Sequence, residues 1–185
     1  MDEATGEVAA AAVSTKACGD GQALPCLLSQ VAGEIRQVTG DGGYDDRQCD
    51  DAIGGRKARA VISPPQGARI WRHGDTKRER HVRDENLRSC RRHGRAKWKR
   101  ESGYHRRSLA EVAVFRLKMV FGERASARSF AGQARQLLVR CAALNRMTHL
   151  GMPDSYKVAA SGRFSWRVSY AHPLVCNKVV YKGDD

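Results

Sequence analysis

Apolar residues recur along this chain in two rhythms, and the rhythms lay out its elements. Leu24, Leu27, Leu28 and Val31 fall at helical spacing and predict a helix over Ala23–Val31, with Pro25 tolerable only in its first turn. Short apolar runs predict strands at Glu7–Val13, Ile35–Thr39 and Ala58–Ile62, the first of them rich in alanine. Gly40-Asp41-Gly42-Gly43 stops the second strand where the backbone must turn sharply and leaves Asp41 at its end, while Ser63-Pro64-Pro65 cuts off the third. Asp46–Ile53 predicts a short polar helix closed by Gly54-Gly55. Ala125–Met147 predicts a long amphipathic helix with Phe130, Ala134, Leu137, Leu138, Cys141 and Leu144 facing inward, ended by Gly151 and Pro153. The order β-α-β-α-β followed by helix predicts an α/β sheet domain, without internal repeats.

The segment Gly103–Phe121 breaks the polar-outside rule. As one helix, at ~100° per residue, it stacks Arg107, Glu111 and Lys118 within roughly 60° of Tyr104. Leu109, Val112, Ala113, Phe115, Leu117, Val120 and Phe121 surround that stripe, so the helix is expected to be buried. A carboxylate and two cations are costly there unless paired. Arg107 and Glu111 are i,i+4 neighbours, so the stripe reads either as an internal ion-pair ladder or as a functional site, and spacing alone does not choose.

Charge changes the picture next. The chain has 185 residues, one domain's worth, and a formal net charge of +13. The excess concentrates from Arg69 to Arg107, through Arg72, Lys77, Arg78, Arg80, Arg83, Arg88, Arg91, Arg92, Arg95, Lys97, Lys99, Arg100 and Arg106. Trp71 and Trp98 interleave with these, and phosphate neutralisation with stacking on unpaired bases needs that pairing of residue types. A solvated face is the bland alternative; the density and single sign favour a DNA-facing surface of loop and helix between Pro65 and Trp98. The cysteines show no C-x2-C pairing, and Cys90 with His93 lacks the second pair a zinc site needs, so a reduced, cytoplasmic protein is expected. Asp41, Asp45, Asp46, Asp50 and Asp51 lack calcium-loop spacing; the last four read as helix-start charges and solvent face. No run of ~20 apolar residues spans a membrane.

Tyr104, Arg107, Glu111 and Lys118 reproduce Tyr-x2-Arg-x3-Glu-x6-Lys without a gap, which resembles the signature of a large group of bacterial insertion-sequence transposases of the DDE type. Val38-Thr-Gly-Asp-Gly-Gly-Tyr-Asp45 resembles their segment with the second catalytic aspartate, here Asp41. Asp2-Glu-Ala-Thr-Gly-Glu-Val8 resembles the stretch after their first strand, which makes Asp2 the first aspartate. Trp98-Lys-Arg, Gly103–Ser108 and Asn145-Arg-Met-Thr-His-Leu-Gly151 are similar to the family as well. The resemblance implies a ribonuclease-H-like catalytic domain, a mixed sheet with flanking helices, over residues 1–156. It implies that Asp2, Asp41 and Glu111 hold two Mg²⁺ (or Mn²⁺) and are the catalytic residues. In-line phosphoryl displacement between two such ions suits hard carboxylate oxygens. Arg107 and Lys118 would contact phosphates, and Tyr104 would stack on a base or brace the site. Arg91, Arg92, Arg95, Lys97 and Trp98 would bind DNA. The implied partners are the element's terminal repeats and target DNA, at the nucleoid, with a homo-oligomer in the DNA complex.

Two departures qualify this. The family's strand before the first aspartate is expected to be missing, leaving Asp2 on a fraying terminus and the chain weak or dead in catalysis. Residues 157–185 resemble nothing in the family and are expected to be poorly ordered. The alternative from another class is a basic nucleic-acid-binding protein without catalysis.

Overall fold

The computed structural model describes residues 1–15, 18–71 and 81–151, together with the backbone of two short strands at 175–176 and 180–183. Arg72, Lys77, Arg78, Arg80, Pro153 and most of the 157–185 tail lie outside the described residues.

Strands β1 (Val13–Ser14), β2 (Ile35–Gly40), β3 (Arg59–Ile62), β4 (Val175–Cys176) and β5 (Val180–Gly183) combine with helices α1 (Asp20–Gln30), α2 (Arg47–Gly55), α3 (Val82–His93), α4 (Arg95–Glu101), α5 (Ser108–Phe121) and α6 (Phe130–His149). The central sheet runs β3-β2-β5, with β3 parallel and β5 antiparallel to β2, so the architecture is mixed α/β. β1 pairs antiparallel with β4. The strand expected over Glu7–Val13 is thus nearly absent. Alanines at 9–12 pack too little on a pleated surface to hold it, and Val8 finds its backbone partner in a side chain of α6.

The β2–α2–β3 crossover sets the core. On β3, Ala60 and Ile62 face the cluster of Leu24, Leu28, Val38, Tyr44 and Ile53, whereas Val61 faces Trp98 and Tyr104 across the sheet. A register irregularity between Ile35 and Gln37 lets Ile35 and Val38, three apart, share one face. β3 borders the sheet, and α3 covers it: Asn86 donates from Nδ2 to the Ala60 carbonyl at 2.9 Å and accepts from the Trp98 indole at 3.4 Å.

α1 begins three residues before the helix expected from periodicity, which puts Pro25 in the second turn. Proline has no N–H to offer the Gly21 carbonyl four residues back, and the Cys49 thiol fills that role at 3.4 Å. Burial, with Asp46 adding to it, pushes the Cys49 thiol up to about 12. At mildly alkaline pH an alkylating reagent should therefore label exposed Cys26 and leave Cys49 until the chain is denatured. Equal labelling of the two in the native protein would show that α1 and α2 do not pack this way.

α2 contains Gly54 and Gly55 rather than ending before them, and the left-handed position falls on Lys57 at φ 56°. Of the acids expected at its start and solvent face, Asp46 caps the helix by accepting from the Cys49 N–H at 2.8 Å. Asp45 and Asp50 turn inward instead. Asp50 meets His81 Nδ1 at 2.7 Å, and Asp45 takes two hydrogen bonds from Arg83, at 3.0 and 2.9 Å. Arg83 stands 4.2 Å over the Trp71 ring and also donates to the Arg69 carbonyl and to Asp84. The basic run thus contributes a cation to the interior.

Candidate functional site

β2 ends at Gly40, so Asp41 projects from the carboxyl end of a parallel strand, where α/β sheets place ligand-binding residues. Its carboxylate accepts from the Gly43 N–H at 2.9 Å and caps the 3-10 turn Gly42–Tyr44. The neighbouring glycines do not supply left-handed backbone, since none of Gly40, Gly42 and Gly43 has positive φ. They supply room. A Cβ on Gly40 would lie 3.0 Å from the Tyr44 ring, and one on Gly43 3.1 Å from the Asp41 carboxylate.

Gly103, left-handed at φ 75°, starts a second 3-10 turn, Tyr104–Arg107, that leads into α5. The four signature residues therefore do not share one α-helix. At three residues per turn, Arg107 falls directly over Tyr104, its guanidinium 5.2 Å from the ring, and Lys99 approaches the same ring at 5.0 Å. Tyr104 is buried against Val61 and Trp98, which makes it a brace beneath two cations. Arg107 pairs with Glu111 at 2.6 Å. Burial works against charge on Arg107, but the Glu111 hydrogen bond, with Tyr104, the Glu111 charge and Asp41, outweighs it and holds the guanidinium above its ordinary range. Glu111 thus holds the arginine at the end of a turn against which β2, the strand leading to Asp41, packs.

α5 itself is not the buried helix expected. Ala110 is buried, and Ala113 and Leu117 are buried against α6 and the N-terminal segment, while Val112, Phe115, Met119 and Val120 are exposed, as are Glu111 and Lys118. The apolar surround exceeded what one covering layer could bury. Phe130 and Leu138 of α6, expected inward, are exposed for the same reason.

Asp2 does not fray. Its N–H donates to the Glu7 carbonyl at 2.9 Å and the Gly6 N–H donates to its own carbonyl at 3.1 Å. Its carboxylate accepts from the Ala4 N–H at 3.0 Å and the Thr5 hydroxyl at 2.9 Å. Glu3 beside it pairs with Arg106 at 2.8 Å. The three carboxylate segments therefore all border the Tyr104–Arg107 turn. They do not close into a cage: among the described residues, no three His, Cys, Asp or Glu side chains stand together so as to hold a metal ion.

The expected DNA-contacting residues divide. Trp98 is buried, so its ring is not offered to a base, and the half-buried Trp71 ring has Arg83 at 4.2 Å and Arg47 at 5.5 Å from its centroid. Arg91 donates to the Ala68 carbonyl at 2.8 Å, and Arg95 ties the end of β3 through Ser63 Oγ at 2.9 Å and the Pro64 carbonyl. Lys97 pairs with Glu101 at 3.7 Å. Arg92 is exposed on the last turn of α3.

Residues 1–146 match the family model for the transposase DDE domain. The chain belongs to that family. No solved structure matches it. Transposases of this family act on DNA and generally use divalent metal ions, and among the described residues of this one no helix is long and apolar enough to cross a membrane. Sequence reasoning counted Lys99 of this transposase among the basic run, and Asn145 and His149 as part of a family-like segment, and missed that Lys99 lies over the Tyr104 ring and that Asn145 and His149 hold the N-terminal segment. The 3-10 turn after Gly103, which brings Lys99 and Arg107 onto one ring, could have been suspected from that glycine alone.

For this transposase, Arg92→Glu should weaken binding to duplex DNA and lower the salt slope by about one released counterion. A slope unchanged in a salt titration would remove α3 from the DNA face.

Proposed function

We propose that this chain carries the catalytic function of an insertion-sequence transposase, cleaving DNA at the element's ends and joining the freed 3′-hydroxyl to target DNA. The reading is carried by the match of residues 1–146 to the transposase DDE domain, and it is supported by the packing of β2, which leads to Asp41, against the turn whose Arg107 pairs with Glu111 at 2.6 Å. The segments bearing Asp41 and Glu111, about 70 residues apart in the chain, resemble the family's motifs. Asp2, Asp41 and Glu111 are assigned as the catalytic carboxylates. Their hard oxygens suit Mg²⁺ (or Mn²⁺), but as arranged they do not form a three-ligand set. Arg107, Lys118 and Arg92 are assigned to phosphates, and Tyr104 holds Arg107 in place. The exposed Val112, Phe115 and Met119 offer apolar area to a homo-oligomer in the DNA complex.

A second reading, a basic DNA-binding protein without catalysis, draws support from the engaged state of Asp2 and Glu111. The two part in one assay. The catalytic reading expects nicking of supercoiled plasmid with Mg²⁺ or Mn²⁺ that a chelator abolishes while DNA binding persists. Binding without nicking under any divalent ion would leave the second reading standing.

A further inference from the structure

Asn145 reaches across 137 residues of chain to pair with both backbone groups of Val8: its Oδ1 accepts from the Val8 N–H at 2.8 Å and its Nδ2 donates to the Val8 carbonyl at 3.0 Å. A side-chain amide offers one acceptor and two donors, so it can stand in for a neighbouring strand's peptide. One turn further along α6, His149 Nε2 meets the Glu7 carboxylate at 2.6 Å, and the Thr148 methyl lies near Gly6. Met1, Val8 and Ala11 pack on Ala113, Leu117, Cys141 and Leu144 of α5 and α6. Between Met1 and Val8 the chain closes the Asp2–Glu7 turn, whose other side is held by Glu3 on Arg106. The last turns of α6 therefore fix where the N-terminal segment sits along α5.

We propose that Asn145 is a positioning residue of the transposase: by setting the register of Val8 it fixes the Asp2 turn relative to Arg107 and Glu111. His149 supports it through Glu7. The proposal rests on the assignment of Asp2 as a catalytic carboxylate. The asparagine is needed for its chemistry, because an aspartate keeps the acceptor for the Val8 N–H but presents a second oxygen to the Val8 carbonyl.

The test uses the full chain and supercoiled plasmid with Mn²⁺. Asn145→Asp is expected to lower the maximal nicking rate at least ~10-fold with the DNA concentration for half-maximal rate unchanged, since a displaced reacting group costs rate rather than binding. Hydrogen exchange at Val8 should quicken by a similar factor while the exchange of α5 is unchanged. His149→Ala, at an exposed position that leaves no buried gap, should shift both readouts in the same direction by about 2–3-fold. Faster exchange at Val8 with an undiminished nicking rate in both variants would overturn the positioning role and leave the catalytic reading intact. A wild-type chain that does not nick would overturn the catalytic reading, and this proposal with it.

Discussion

Arg83→Met is expected to lower the unfolding free energy by about 3–5 kcal/mol, the range for removing one partner of a buried ion pair. The Arg83 side chain is 6% exposed and its partner Asp45 3%, and the other acid it touches, Asp84, is 1% exposed. The hydrogen bonding of Arg83 to the Asp45 carboxylate is the largest influence on Arg83 and holds its guanidinium above the ordinary range against desolvation. Methionine fills the space but leaves Asp45 without its two-point partner, while the Trp71 ring loses the cation over its face. Urea denaturation measures the effect. Arg92→Met, on the exposed end of α3, should stay within about 0.5 kcal/mol of wild type. A loss below ~1 kcal/mol for Arg83→Met would mean that water reaches the pair. Replacing Arg83 and Asp45 together by apolar residues should cost less than replacing Arg83 alone, because Asp45 is then not stranded as a buried charge, although Asp84 still loses its contact with Arg83.

The second large effect is on activity. Asp41→Asn and Glu111→Gln should each reduce plasmid nicking on the order of 10²–10³-fold, the scale for removing a charge aimed at a reacting centre. DNA affinity should hold or rise, because each change removes a negative charge from a surface that faces phosphate. Glu111→Gln also releases Arg107 from its 2.6 Å ion pair, leaving that guanidinium over the Tyr104 ring. Rate and binding should therefore move in opposite directions in this variant. Undiminished nicking by both variants would sink the assignment of the carboxylates, whatever the DNA affinity did.

Local rhythm made β2, α2 and β3 legible in the sequence to within a few residues, because each buries a face whose period its own side chains carry. The same was true of Asp41 at a strand end. What stayed hidden depended on partners distant in sequence. Arg83 counts as one more cation in a basic run until Asp45, 38 residues away, is seen to take it inside. Trp98 reads as a stacking platform until Val61 and Tyr104 cover it. α5 reads as buried because periodicity reports how much apolar surface a helix has, not how many neighbours come to cover it. The departure of Tyr104 and Arg107 from α-helical geometry had a local cause in Gly103, but its consequence, two cations on one ring, also needed Lys99 from the preceding helix.

The grip of Asn145 on Val8 also bears on the order in which this protein acquires its structure. Chain emerging from synthesis presents Val8 long before residue 145, whereas β2, α2 and β3 complete their crossover within some thirty residues of one another. Contacts of short span close cheaply and early, and those of long span wait. The segment bearing Asp2 is thus expected to settle late, so that a nascent chain can have its β2–α2–β3 crossover in place while the Asp2 turn is still unanchored. Pulse-labelled hydrogen exchange during refolding should find the Val8 amide protected after those of β2 and β3.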